Sequence, residues 1–250
     1  MTPKWRWVLL VSLIGNLTIV YVAFKAIDYR DHVNYWLDKY LYVVDEFSAG
    51  DIYREANRAI QSDTTVPGRM VFFGTQVTEE WPVQEDFPSY ECINRGVTGQ
   101  WAAGFLLRFR QDVLELAPQF VLIEVSSYNF RPHTRPTDIY NYVTTMAELA
   151  ECRGVKPVLT TCIPPRKDFV VEEHEDYAVR DTAAAYSDRI RAYAREKCFP
   201  LADWEEVLTD STGYLRVDLS RTKVDPNREG YRVLAAEVVR AMTGKPATAP

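Results

Sequence analysis

The chain has 250 residues, 47% of them hydrophobic, and a formal net charge of −6 at pH 7. This length is sufficient for one large hydrophobic core with a further segment beside it. The acidic balance excludes the basic surface by which proteins hold nucleic acids, so we expect no nucleic-acid partner. The four cysteines, Cys92, Cys152, Cys162 and Cys198, show no C-x-x-C spacing, which argues against a zinc or thioredoxin-like site.

An almost wholly apolar run covers residues 7–27. It is as long as the roughly 20 residues that a helix needs to cross a bilayer. Lys4 and Arg6 precede it, which favours a cytoplasmic amino terminus and a single-pass protein whose remainder is extracytoplasmic, on the periplasmic side in a bacterium. A cleaved signal peptide is the alternative, but no small-residue cleavage site ends the run. We therefore expect residues 1–27 to be a transmembrane anchor that contacts the bilayer through residues 7–27.

The anchor helix is expected to continue beyond the membrane, because no glycine or proline occurs between Asn16 and Ala49. Apolar residues recur along the continuation at helical spacing and form a stripe. Its members are Val33, Trp36, Leu37, Tyr40, Leu41, Val44 and Phe47. Such a stripe needs a cover, which is either its own domain or a partner helix or membrane surface. We take residues 28–65 as a helical stalk and linker, and the stripe as the candidate partner-binding surface.

Residues 66–243 alternate between strand and helix patterns, and residues 244–250 form a tail without pattern. We predict strands over 69–73, 91–94, 120–125, 156–163 and 201–204, and helices over 101–116, 137–153, about 179–193 and 226–242. In the last helix Asp225 is the expected N-cap and Pro226 the first residue. The alternation predicts an α/β fold, a three-layer flavodoxin-like sandwich around a parallel sheet of about five strands. Its site is expected at the carboxyl edge of the sheet.

Four sequence blocks fall at that edge. They are Phe73-Gly74-Thr75-Gln76-Val77-Thr78, Ile93-Asn94-Arg95-Gly96-Val97-Thr98-Gly99-Gln100, Val125-Ser126-Ser127-Tyr128-Asn129-Phe130 and Thr222-Lys223-Val224-Asp225-Pro226-Asn227-Arg228-Glu229-Gly230-Tyr231. From about Arg69 to Met242 the chain resembles the SGNH, or GDSL-type, hydrolases. The first block is similar to their Gly-Asp-Ser pattern, the third to Gly-x-Asn-Asp, and the last to Asp-x-x-His-Pro-Asn-x-x-Gly-Tyr.

The resemblance implies that Gln76 stands at the position of the serine nucleophile, Thr222 at that of the orienting aspartate and Asp225 at that of the base histidine. It also implies that Gly96 and Asn129 are the oxyanion donors. A carboxamide cannot attack an ester, and a carboxylate has little drive to take a proton from an alcohol. We therefore expect a degenerate site with no intact catalytic residue.

Two arrangements of the replaced residues are open. In one, the Gln76 amide donates to the Asp225 carboxylate and Thr222 adds a second hydrogen bond, which makes a static polar lock. In the other, Asp225 only caps the last helix and Gln76 faces water.

Ser126 or Ser127 with His133 is an alternative catalytic pair, displaced from the usual position. The charged run Glu172, Glu173, His174, Glu175 and Asp176 is read as a solvated loop rather than a metal site. We expect no metal and no cofactor.

These patterns favour a membrane-anchored, catalytically inactive protein that is a scaffold or accessory subunit of a larger membrane assembly, whether respiratory, photosynthetic or secretory. One alternative is an esterase or O-acyl transferase with a displaced nucleophile. Another is a glycan- or lipid-binding module in which Tyr128, Phe130 and Trp81 stack on the ligand.

Overall fold

The computed structural model describes residues 3–130, 134–169 and 179–244. The chain divides into two units, one that ends at Phe47 and one that begins at Ser48. The second unit therefore starts well before the expected domain boundary at residue 66.

The first unit is one helix, α1 (Pro3–Ser48), which ends where Ala49 takes a positive φ of 47°. Its stretch Pro3–Leu37 is long and apolar enough to cross a membrane, and that stretch is unburied. In the stripe predicted from the sequence, the side chains of Val33, Trp36, Leu37 and Tyr40 are exposed. Val44 and Phe47 belong to the same helix, but their side chains lie outside the described part of the structure.

Five parallel strands form one sheet in the described part of the second unit, in the order β2-β1-β3-β4-β5. The strands are β1 (Val66–Gly74), β2 (Glu91–Gly96), β3 (Pro118–Ile123), β4 (Lys156–Thr160) and β5 (Leu201–Ala202). The predicted parallel sheet is confirmed. The last strand is shorter than predicted because Asp203 caps a new helix at Trp204, its side chain accepting from the Glu206 amide.

Helices cover both faces of the sheet. They are α2 (Arg54–Ile60), α3 (Gln76–Glu79), α4 (Val83–Asp86), α5 (Ala102–Asp112), α6 (Pro136–Cys152), α7 (Val179–Lys197), α8 (Trp204–Leu208) and α9 (Arg228–Thr243). Single 3-10 turns occupy Leu114–Leu116, Ser127–Asn129 and Val217–Leu219.

Alternate side chains of each buried strand enter opposite cores, as a parallel sheet requires. Val71 and Phe73 of β1 pack with residues of α5, α6 and α7. Met70 and Phe72 pack on the other face with residues of α8 and α9, and with Trp81. The three-layer sandwich predicted from the sequence is thus confirmed.

The predicted start of the last helix is wrong. Asn227, not Asp225, is the N-cap of α9, and its side chain accepts from the Gly230 amide. Residues 220–226 form a tight loop instead of a first helical turn, because the Arg221 amide donates to the Asp225 carbonyl and Ser220 bridges Pro226.

A buried ionic network joins the start of the second unit to the sheet. Arg108 of α5 is fully buried, pairs with Asp112 at 3.0 Å and donates to the carbonyl oxygens of Gly74 and Arg95. Asn57 of α2 donates to the same Asp112 at 2.6 Å and accepts from Arg95. Because Asn57 is buried in this network, α2 belongs to the domain and not to the stalk.

We predict that Arg108→Met lowers the free energy of unfolding by about 3–5 kcal/mol, since it leaves the buried Asp112 carboxylate without its cation. The matched control is Arg110→Met on the same helix. Arg110 also forms an ion pair, with Glu115, but its side chain is 79% exposed. We expect that control to cost at most about 1 kcal/mol. Urea unfolding of the full chain in detergent micelles measures both, and equal losses would contradict the prediction.

Candidate functional site

The carboxyl end of β1 is the floor of the candidate site. There the Gly74 carbonyl accepts from Arg108 at 3.2 Å, and the Thr75 amide donates to the Glu124 carboxyl at 2.6 Å. A Cβ on Gly74 would lie 2.2 Å from Glu124 Oε2 and 2.3 Å from Thr78 Oγ1. Glycine is therefore required here because Glu124 fills the space that a side chain would take.

Glu124 follows the last residue of β3 and is 1% exposed. Besides the Thr75 amide it accepts from the hydroxyls of Thr75 and Thr78, each at 2.9 Å. Burial raises the pKa of Glu124 to about 7; the three hydrogen bonds oppose that rise, and the charge of Asp225 adds to it. Glu124 was not predicted as a site residue from the sequence, because it lies within the apolar run predicted as the third strand. The available signal was a lone carboxyl where that strand ends, at the edge where sites are built.

Gln76 is the first residue of α3, directly above this floor. Its Nε2 lies 3.3 Å from Oδ2 of Asp225 and 3.2 Å from Oε1 of Glu80. Thr222 donates from Oγ1 to the same Asp225 oxygen at 2.7 Å. The structure thus brings Gln76, Thr222 and Asp225 together in the first of the two arrangements that the sequence left open. The second does not hold, since Asp225 is not the cap of α9.

Ion pairs connect the same two segments on either side of this contact. Arg221 pairs with Glu80, and its Nη2 lies 3.6 Å from the Asp225 carboxylate. Arg228 pairs with Asp86 at 2.6 Å. The segment from α3 to α4 is therefore held against residues 221–228 by opposite charges as well as by the Gln76 amide.

Gly96 does not fit the oxyanion role that the resemblance assigned to it. Its amide donates to Asn94 Oδ1 at 2.9 Å, so the donor is already used. A Cβ at this position would lie 2.1 Å from the backbone nitrogen of Glu79. Glycine is needed at residue 96 for the close approach of α3 to β2, which is a packing reason.

Asn129 is buried, and its side chain holds the start of α5. Oδ1 accepts from the Ala102 amide at 2.6 Å, and Nδ2 lies 3.5 Å from the Gln100 carbonyl. The long second contact leaves Nδ2 the weaker-bound group of this amide.

The alternative catalytic pair is only partly described. Ser126 is partly buried, and Ser127 is buried with a hydroxyl that has no hydrogen-bond partner among the described residues. His133 lies outside the described residues, as does the charged run 172–176. Among the residues that the structure describes, no group of three His, Cys, Asp or Glu side chains could hold a metal ion.

Two of the three aromatic residues expected to stack on a ligand are inaccessible. Trp81 and Phe130 are 2% and 0% exposed and belong to the two cores, and only Tyr128 is exposed. Trp81 packs against Phe72, Trp204 and Tyr231. A stacking platform built from these three residues is therefore excluded.

Comparison with known proteins agrees with this architecture. The model of the GDSL-like lipase/acylhydrolase family matches residues 63–233. The chain belongs to this family. A GDSL-like lipase from Bacteroides thetaiotaomicron has 27% sequence identity to this family member and a TM-score of 0.70, over 79% of this chain and 98% of the lipase.

More distant structures share the fold. An acetyl xylan esterase is 21% identical, with a TM-score of 0.57 over 69% of this chain and 98% of the esterase. An acetyl-xylooligosaccharide esterase from Geobacillus is 15% identical, with a TM-score of 0.58 over 73% of this chain and 97% of the esterase. No match was found among curated protein sequences.

We predict that Glu124 makes the chain less stable as the pH rises. Because its pKa in the folded chain, about 7, exceeds the ordinary value of 4.5, the folded chain keeps a proton that the unfolded chain releases. The contribution of Glu124 to the free energy of unfolding is fully present below pH 4.5. It falls by about 3 kcal/mol as the pH rises from 4.5 through the folded-state pKa of about 7. Glu124→Gln should remove this fall, which urea unfolding between pH 4.5 and 8 measures as the difference between the two chains.

Glu151→Gln is the control, since Glu151 is an exposed carboxyl of α6. It should leave the pH dependence of stability unchanged. The same slope in wild type and Glu124→Gln would show that the buried carboxyl does not titrate in this range.

Proposed function

We propose that this family member is anchored in a membrane, does not turn over esters, and is a scaffold or accessory subunit of a larger membrane assembly. The observation that carries the proposal is the hydrogen-bonded set of Gln76, Thr222 and Asp225. An ester hydrolase needs at these places a nucleophile, a base and an acceptor that orients the base. Here an amide donor, a carboxylate and a hydroxyl satisfy one another.

The electrostatics of the site support an inactive role. Attack on an ester carbonyl builds negative charge, which a site stabilises with aimed donors. Asp225 brings a carboxylate to this place instead, 3.3 Å from the Gln76 amide nitrogen, and Glu80 brings a second one at 3.2 Å. The Gly96 amide, the expected donor, is used by Asn94. The Arg221 guanidinium pairs with Glu80 and lies 3.6 Å from Asp225, but it balances only one of the two carboxylates, and the remaining negative charge would oppose an oxyanion.

The anchor supports a place in a membrane assembly. The long exposed face of α1 holds Trp36 at 60% exposure and Tyr40 at 64%. Large apolar side chains that recur on one face of a helix need a cover, which a partner helix would supply. We propose that the stripe Val33, Trp36, Leu37, Tyr40, Val44 and Phe47 is the contact surface, with the amino terminus cytoplasmic and the domain on the other side of the membrane.

We predict that the chain gives no hydrolysis of short acyl esters above the uncatalysed rate and no labelling by a fluorophosphonate, which reacts only with an activated serine. An acetyl xylan esterase of the same fold is the positive control. Labelling that disappears in Ser126→Ala or Ser127→Ala would establish the displaced nucleophile and overturn the proposal.

We predict that the chain, extracted from its native membranes with a mild detergent, migrates in an assembly larger than two copies. Leu37→Glu should release it, because the charge would enter an apolar contact. Tyr35→Glu is the matched control, since residue 35 lies almost opposite residue 37 on the helix. Native gel mass measures both chains.

Sidedness is read from the same membranes before extraction. Cys198 is exposed on the domain, so an impermeant maleimide should label it from the extracytoplasmic side in sealed cells. Recovery of the wild type only as a monomer would contradict the scaffold role. Labelling only after the membrane is opened would contradict the topology.

A further inference from the structure

The membrane part of α1 has one face that differs from the rest. Residues 7–27 contain six small or weakly polar residues, namely Ser12, Gly15, Asn16, Thr18, Ala23 and Ala26. Four of the six lie on the line 9, 12, 16, 19, 23, 26, whose steps alternate between three and four residues. That line has six of the 21 positions, so small and polar residues are concentrated on it.

The same line continues into the stalk without a break. Steps of four and three lead from Ala26 through Arg30 to Val33, Leu37 and Tyr40, and then to residues 44 and 47. An alternation of three and four is the heptad spacing of paired helices, with the line at positions a and d. Because α1 is one helix from Pro3 to Ser48, the face is continuous across the membrane boundary.

Along this line the residues change at the membrane boundary from small and polar to large and apolar, as contact with another helix requires. Within lipid, helices associate through small residues that allow close approach and through polar side chains that hydrogen-bond across the contact. In water they associate through large apolar residues. The line carries Asn16 and Ala23 in the lipid part, and Leu37 and Tyr40 beyond it.

The opposite side of α1 changes in the reverse direction. One line there carries Leu10, Leu17 and Phe24 in the membrane part and Asp31 beyond it. These residues suit exposure to lipid and then to water. The line of Leu10, Leu17, Phe24 and Asp31 is therefore matched to lipid and then to water, while the line through Asn16 and Leu37 is matched to a neighbouring helix.

Asn16 indicates which neighbouring helix contacts this face of α1. Its side chain makes no hydrogen bond within the described chain, whereas Thr18 is satisfied by the Ile14 carbonyl at 2.9 Å. An unsatisfied amide in hydrocarbon is costly. A carboxamide is both donor and acceptor, so two copies at the same depth satisfy each other. Single-pass chains insert in the same orientation and therefore place Asn16 beside Asn16 of a second copy.

The charged residue on this line does not oppose such a pair. Arg30 lies at the membrane boundary, where its exposed guanidinium is bonded to Asp31 at 3.1 Å. Each copy thus brings its own counter-charge to this level of the contact.

We propose that α1 forms a parallel two-helix contact with a second copy of this chain along Ser12, Asn16, Ala23, Ala26, Val33, Leu37 and Tyr40, held in the membrane by Asn16. The inference rests on the proposed function only for the membrane anchor. The proposed two-helix contact makes a second copy of this chain the first partner of the stalk stripe. Other subunits then assemble around the pair.

The test is energy transfer between full-length chains in phosphatidylcholine vesicles, diluted stepwise with lipid. Donor and acceptor dyes are attached to the exposed Cys198 of a Cys152→Ser chain. Wild type should show transfer that declines with dilution as a dimer predicts. Asn16→Leu should weaken association about tenfold, Asn16→Gln should retain most of it, and Thr18→Leu should match wild type, because residue 18 lies off the line.

Transfer no greater than that of randomly mixed chains, or an equal loss in Thr18→Leu and Asn16→Leu, would overturn the proposal. The outcome is separate from that of the scaffold role. If the wild type is monomeric in vesicles yet part of a larger assembly in native membranes, only the proposed helix pairing is contradicted. If it is a dimer in vesicles but has no larger native assembly, only the scaffold role is contradicted.

Discussion

The space beside Gly74 controls the geometry of the whole site. Glu124 fills this space with a buried carboxyl. Arg108 of α5 donates a hydrogen bond to the Gly74 carbonyl. The turn from β1 into α3 is therefore fixed by a buried acid and a buried cation, on a backbone that tolerates no side chain at that point. A turn held this way presents residue 76 in one position. What residue 76 can do is then decided by its own functional group and by the group opposite.

The group that faces Gln76 is the Asp225 carboxylate, which lies near the carboxyl end of the domain sequence. Residues 220–226 close into a loop on their own backbone, which turns the Asp225 side chain toward Gln76 and leaves Asn227 to start α9. Gln76 donates and Asp225 accepts, so the contact is stable without any transfer of a proton. The ion pairs of Arg221 and Arg228 add charge attraction between the same segments. A place where the fold can hold a reactive pair instead holds a hydrogen-bonded one, and the proposed inactive role rests on this contact.

Most of the fold was predictable because it follows from burial. Strands covered on both faces read as apolar runs, as in Val71 to Phe73, and helices between them read as periodic faces. The site was predictable only where a residue acts through its type. Gln76 and Asp225 could be paired from their positions, but the role of Gly96 could not be assigned. A glycine needed for packing under Glu79 and a glycine that offers its amide look the same in a sequence. Glu124 was missed because one acid in an apolar run does not change the pattern of the run.

Helix α1 raises a different question, since its apolar stretch Pro3–Leu37 is unburied. A soluble domain shows by burial which residues carry a contact, but an exposed helix shows it only through its choice of residues. On α1 the choice changes from small and polar to large and apolar along the line of Asn16 and Leu37, and from apolar to acidic along the line of Leu17 and Asp31. Hydrophobicity alone would have placed large apolar residues around the whole membrane part, with Asn16 and the alanines scattered. Their alignment with Leu37 and Tyr40 is what we expect of the proposed contact, in which the neighbour runs parallel to α1 through lipid and then through water. A copy of the same helix meets that requirement, because each apolar or amide side chain then finds its own kind at its own depth and each Arg30 brings Asp31 as its counter-charge.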